Sequence, residues 1–129
     1  MLRNQPKKSG FGKDKCMRFF ISEKQRQQEG DTCYFEFQKG QKNDPNDEWE
    51  FWKEDSLLLH MDIVDEISID KIIPDFNYYG ITVIDREKWH IIQSNAEKAN
   101  GIINEVITEL KFWADENFKE FDYFVIYGI

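Results

Sequence analysis

The chain has 129 residues, 40% of them hydrophobic and 33% charged, and this length predicts one folded domain with its own core. Its formal net charge is −8, but the charge is unevenly divided. Residues 1–42 hold 10 Lys/Arg and 5 Asp/Glu, whereas residues 43–129 hold 7 and 20, a net of −13. An acidic body of this kind argues against nucleic acid and anionic membranes as partners and favours a basic protein.

The sequence also predicts a cytoplasmic protein. Its first residues are basic, but the polar stretch 9–12 follows where a signal peptide needs an apolar run. No stretch approaches the ~20 apolar residues that span a bilayer. The two cysteines, Cys16 and Cys33, form no CxxC pair, and we expect free thiols, although neighbouring strands could bring them to disulfide distance.

The N-terminal third of the chain predicts an arm followed by two strands. Residues 1–15 are polar and basic and are predicted to be a flexible arm ahead of a single domain at 16–129. Strands are predicted at 17–21 and at 33–37, where apolar and other side chains alternate. The next segment, 40–47, combines Gly, Asn, Asp and Pro and predicts a loop.

The middle of the chain predicts further strands. Residues 49–52 and 57–61 resume the strand pattern, either as a hairpin or as one long strand with a bulge. Residues 62–73 fit a short helix or a strand, and Pro74 ends either one. The β-branched and aromatic stretch 78–84 predicts a strand in the centre of the sheet.

The clearest periodicity lies downstream, where eight apolar residues recur at alternating steps of three and four, as on one face of a helix. They are Trp89, Ile92, Ala96, Ala99, Ile103, Val106, Leu110 and Trp113. Asp85 is placed to cap the N-terminus of this helix. Either one helix spans about 86–114, which we prefer, or it is broken near 94–101, where Gly101 interrupts it. In the broken case, residues 88–93 could instead form a strand.

A last strand is predicted at 123–127, and it needs a sheet neighbour to satisfy its backbone. The order of elements predicts an α+β fold. Its sheet is mostly antiparallel, a long amphipathic C-terminal helix packs on one face, and the chain closes with a C-terminal strand.

No motif predicts catalysis. The chain has two histidines, His60 and His90, and neither belongs to a nucleophile or metal-ligand pattern. We expect His60 to be half-buried and hydrogen-bonded in the sheet, and His90 to be exposed on the polar flank of the helix. No catalytic residue, no metal and no cofactor are therefore predicted.

The most informative segment is 43–55, with six acids, one base and two tryptophans. If Trp49 and Phe51 face the core, Trp52 shares the outer face with carboxylates, as in many binding hot spots. The alternative is a solvated surface with Trp52 filling a second small core. The predicted partner-binding residues are Asp44, Asp47, Glu48, Glu50, Trp52, Glu54 and Asp55, followed by Asp62, Asp65 and Glu66.

The stretch 76–89, followed by an amphipathic helix and the segment 110–113, resembles small immunity proteins that neutralise polymorphic or contact-dependent bacterial toxins. The size and acidity of the chain and its lack of catalytic motifs belong to the same resemblance. It implies a non-enzymatic, stoichiometric inhibitor of a cognate toxin, such as a basic nuclease. It assigns no site residue, because immunity proteins are diverse in fold.

A second hypothesis is a small enzyme or ligand-binding domain. Its aromatic pocket would lie between sheet and helix, lined by Trp89, Trp113 and tyrosines, with His60 or His90 opening into it beside a carboxylate. A third is a structural or regulatory adaptor with an unidentified partner.

Overall fold

The computed structural model describes residues 17–41, 50–99 and 101–129. The predicted arm at 1–15, Cys16, Trp49 and most of the predicted loop at 40–47 lie outside the described residues. So do three of the predicted partner-binding residues, Asp44, Asp47 and Glu48.

Within the described residues, five strands form one antiparallel sheet in the order β1-β3-β2-β5-β4. The strands are β1 (Phe20–Ser22), β2 (Tyr34–Lys39), β3 (Leu57–His60), β4 (Ile81–Asp85) and β5 (Tyr123–Tyr127). The helices are α1 (Glu23–Glu29), α2 (Met61–Ile67), α3 (Arg86–Ala99) and α4 (Gly101–Phe118), with a short 3₁₀ helix at Ile69–Lys71. The predicted α+β fold, with a long C-terminal helix and a final strand, is confirmed.

The central strand β2 is buried on both faces. Phe35 and Phe37 point into the main core, together with the apolar side chains of α3 and α4. Tyr34 and Glu36 point the opposite way, as strand geometry requires, yet they are also buried. Two elements cover that second face. One is α1, where Glu29 accepts a hydrogen bond from the Tyr34 hydroxyl, and the other is the turn at 50–56, whose backbone N–H groups donate hydrogen bonds to Glu36.

The long helical segment is divided into α3 and α4 at Gly101, whose φ of +68° lies in the left-handed region that favours glycine. The broken alternative is therefore correct, and both pieces are helices. Asp85 caps α3 as predicted, since its Oδ1 accepts the Lys88 N–H at 2.8 Å. Seven of the eight periodic residues are buried, and only Ala99, next to the break, is exposed.

Three strand predictions are corrected by the structure. The first strand begins three residues later than predicted, at Phe20, and the charged stretch after it forms α1, a helix that was not predicted. A capping box starts α1, with the Ser22 hydroxyl accepting the Gln25 N–H. The stretch predicted at 78–84 starts its strand only at Ile81, and β4 lies at an edge because β5 is inserted between it and β2.

The predicted strand at 49–52 is also wrong. Residues 50–56 form a turn in which Trp52 has a φ of +63°, a left-handed conformation incompatible with a strand. The ambiguous segment 62–73 is helical, with α2 followed by the 3₁₀ helix.

Candidate functional site

The described parts of the two predicted acidic stretches lie at opposite ends of β3. The turn at 50–56 leads into Leu57, and α2 begins directly after His60. Four residues of strand span about 13 Å, so the two parts form separate surfaces.

Acidic and basic side chains lie together at the turn. Glu50, Glu54 and Asp55 are exposed along a cleft of about 700 Å³, but Lys39 and Lys53 line the same cleft. The Asp55 carbonyl oxygen accepts the indole N–H of Trp113 at 2.9 Å, which anchors the turn to α4. Because the two lysines offset most of the acidic charge, this surface provides a weak attraction for a basic partner.

Trp52 is half-buried rather than fully exposed. The guanidinium carbon of Arg26 lies 4.1 Å from its ring centroid, and Arg26 is paired with the buried Glu23 at 2.7 Å. Phe51 is 62% exposed, so the arrangement in which it faces the core does not hold. The positive φ of Trp52 reverses the chain at this point, so the strand alternation assumed for these residues does not apply.

The α2 side carries a more uniform negative charge. Asp62, Asp65 and Glu66 are all exposed, and their spacing of three and four places them on one face of the helix. Asp31 joins them through His60, whose Nε2 lies 2.9 Å from Asp31 Oδ2 and whose Nδ1 lies 3.6 Å from Asp62 Oδ2.

Two tyrosines border these acids. The Tyr78 hydroxyl donates a hydrogen bond of 2.8 Å to Asp65, and its ring centroid lies 4.9 Å from that of Tyr79. Tyr79 is 80% exposed, the most exposed of the large hydrophobic side chains. We call this surface the α2 acidic face and define it as Asp31, Asp62, Asp65, Glu66, Tyr78 and Tyr79.

The hydrogen bonds of this face change the pKa of two of its groups, Asp31 and Tyr78. Two hydrogen bonds hold the pKa of Asp31 below its usual value. The bond from the Cys33 backbone N–H has the larger effect, and the bond with His60 has the next largest. The bond to Asp65 raises the pKa of Tyr78, so the phenol stays protonated as the donor. Sequence reasoning missed Asp31 and the tyrosines, because Asp31 is distant along the chain and the tyrosines had been assigned to a strand.

His60 has a structural role that uses both ring nitrogens. Its Nδ1 accepts the Asp62 N–H at 3.1 Å and so caps α2, which leaves Nε2 to donate to Asp31. The side chain is half-buried and hydrogen-bonded, as predicted. Cys33, the one cysteine within the described ranges, is an exposed free thiol.

A groove of about 550 Å³ lies between α3 and α4, and the exposed His90 lines it together with Asp115. This position differs from the predicted pocket between sheet and helix, and Trp113 lines the other cleft. The groove contains Trp89, and its cations already have partners: Arg86 donates to the Phe118 carbonyl at 2.6 Å, Lys111 pairs with Asp115, and Lys119 pairs with Glu116. No serine, threonine or cysteine is among its described lining residues.

Across the described ranges, no three His, Cys, Asp or Glu side chains are grouped as metal ligands would be. None of the helices described is long and apolar enough to cross a membrane. Comparison with protein-family models, curated proteins and solved structures finds no match to this chain.

Proposed function

We propose that this chain is a non-enzymatic immunity protein that binds and neutralises a cognate basic bacterial toxin in the cytoplasm. The observation that carries the proposal is the α2 acidic face, where three exposed carboxylates share one helix face beside the exposed ring of Tyr79. The turn bearing Glu50, Glu54 and Asp55 is proposed as a secondary contact, because its acids are partly offset by lysines.

The chemistry of such a face suits a toxin that acts on nucleic acid. A nuclease holds phosphates with lysine and arginine, so an aligned set of carboxylates can occupy the same groove and exclude the substrate. The field of the acids speeds association, and an exposed aromatic ring supplies buried area at the centre of the contact. Asp31 extends the charge of the face, since His60 holds its carboxylate beside α2.

The test uses a basic toxin domain, sought among the products of the genes that neighbour this one. Co-expression of this chain with the toxin should restore the growth of bacteria that produce the toxin. The two purified proteins should form a one-to-one complex, and neither should be chemically altered by the other. The triple variant D62N/D65N/E66Q should slow association by about ten-fold or more at low ionic strength and reduce its dependence on salt. Tyr79→Ala should mainly speed dissociation, by about ten-fold or more.

The matched control neutralises three exposed acids elsewhere, E87Q/E97Q/E120Q. It removes the same number of negative charges but leaves the α2 acidic face intact. Equal slowing in both triple variants would mean that only net charge matters, and unchanged association in D62N/D65N/E66Q would overturn the proposed contact.

A further inference from the structure

A small aromatic slot opens on the second face of the sheet, beneath the turn at 50–56. Its volume is about 250 Å³, too small for a drug-sized molecule and suited to a single head group. Four aromatic residues line it: Tyr34 and Tyr127 from the sheet, and Phe51 and Trp52 from the turn. The rings of Phe51 and Tyr127 meet edge to face, with centroids 5.2 Å apart.

The fifth important lining residue is Glu36, a carboxylate only 2% exposed. Its oxygens accept the backbone N–H groups of Trp52 and Lys53, each at 2.8 Å, and the Ser56 hydroxyl at 2.6 Å. None of the basic side chains in the described ranges forms an ion pair with it. Among the described residues the negative charge is thus held by dipoles, with no cation at ion-pair distance, which is unusual for a buried carboxylate.

The negative charge of Glu36 affects the pKa of two neighbouring residues, Tyr127 and Arg26. Burial first, and the charge of Glu36 second, raise the pKa of Tyr127 to about 12. On the side of α1, the Arg26 guanidinium already stacks over Trp52 at 4.1 Å. The pKa of Arg26 is raised chiefly by its hydrogen bond to Glu23, and the Glu36 charge contributes in the same direction.

From this arrangement we infer that the slot binds one organic cation, a quaternary ammonium or a guanidinium head group. The aromatic rings supply cation–π attraction, and Glu36 supplies the charge that the bound cation balances. Phe51 is the ring most open to solvent, at 62% exposure, and forms the entrance. The inference goes beyond the proposed function, because such a head group can come from a free small molecule or from a side chain of any basic protein.

The experiment compares pairs of probes that differ in charge but little in shape. Choline is titrated against its uncharged carbon analogue 3,3-dimethylbutan-1-ol, and a capped arginine tripeptide against the same peptide with citrulline. Binding is followed by two-dimensional NMR through the amide signals of Trp52 and Lys53, which bond directly to Glu36. A shift with choline alone identifies a free quaternary ammonium as the source, and a shift with the arginine peptide alone identifies a protein side chain.

Phe51→Leu tests the rings without disturbing the core, because the side chain is largely exposed. It should weaken binding of the cation about two- to five-fold, as expected for a cation–π contact at an exposed site. Phe112→Leu, which changes an exposed ring on α4 outside both the slot and the α2 acidic face, should leave the affinity unchanged. Glu36→Gln should abolish the preference for the charged probe, with the fold verified by the amide spectrum. Equal binding of charged and uncharged probes, no binding of either cation, or unaltered affinity in Phe51→Leu would overturn the inference.

Discussion

Glu109 on α4 accepts a hydrogen bond of 2.8 Å from the backbone N–H of Phe20, a residue 89 positions earlier in the chain. The same oxygen accepts the Phe19 N–H at 2.9 Å, and its other oxygen accepts the Arg18 N–H at 2.8 Å. Strand β1 has three residues, and β3 is its one partner among the described strands. The Glu109 carboxylate therefore accepts the backbone N–H groups that a second neighbouring strand would otherwise bind at the start of this edge strand.

We expect Glu109→Gln to lower the free energy of unfolding by about 1–3 kcal/mol, because the amide cannot accept all three backbone bonds and lacks the charge that strengthens them. Urea denaturation measures the change. The control is Glu105→Gln, one helical turn earlier, whose only described partner is the exposed Arg18. It should cost less than about 0.5 kcal/mol, and equal losses in both variants would contradict the assigned role of Glu109.

Glu36→Gln should destabilise the protein through the turn that it holds. The variant leaves at least one of the Trp52 N–H, Lys53 N–H and Ser56 hydroxyl groups without its acceptor, at a cost of about 1–3 kcal/mol. Thermal unfolding gives the loss, and faster hydrogen exchange at Trp52 and Lys53 would localise it. The exposed Glu50→Gln is the control and should leave exchange at both amides unchanged.

Asn117 joins the end of α4 to two strand ends. Its Oδ1 accepts the Gly40 N–H at 2.9 Å, and its Nδ2 donates to the Tyr123 carbonyl at 3.0 Å, in a fully buried position. Asn117→Ala should cost about 2–3 kcal/mol, since both backbone groups lose their partner away from water. Asn104→Ala, at a half-buried position on the same helix, should cost less than about 0.5 kcal/mol in the same urea titration.

Stability should fall in acid partly through Glu23. The hydrogen bond from Arg26 is the main cause that lowers the pKa of Glu23 below its ordinary value of 4.5 in the folded chain, although burial opposes it. A group with a depressed folded pKa stabilises the fold above its unfolded pKa, and that contribution disappears as pH falls through the folded value. The free energy of unfolding should therefore decrease below pH 4.5, and less steeply in Glu23→Gln. The exposed Glu97→Gln should retain the slope of the parent protein; a parallel curve for Glu23→Gln would refute the assignment.

Local patterns were sufficient wherever one element could be recognised from its own residues. The three- and four-residue spacing from Trp89 to Trp113 predicted the buried helical face, and Asp85 was recognised as a cap from its position alone. These signals succeed because helix periodicity and capping depend on neighbours within one or two turns.

Predictions failed where a distant residue decided the local conformation. Trp52 was assigned to a strand, but its backbone N–H bonds to Glu36, and the turn follows from that contact. Likewise, β4 was expected in the centre of the sheet, whereas the last strand of the chain takes the place beside β2. No window of sequence around either segment contains the residues that determine its place.

The amino-acid sequence by itself determined the α+β class, the acidic body, the amphipathic helical segment and the final strand. These follow from composition and short-range periodicity, which act on each segment alone. Only the tertiary structure decided that the described parts of the two acidic stretches lie at opposite ends of β3, that Asp31 and Tyr79 join the α2 acidic face, and that Glu36 is buried among aromatic rings. These depend on strand order and long-range packing, because side chains far apart in the chain meet only when the sheet is assembled.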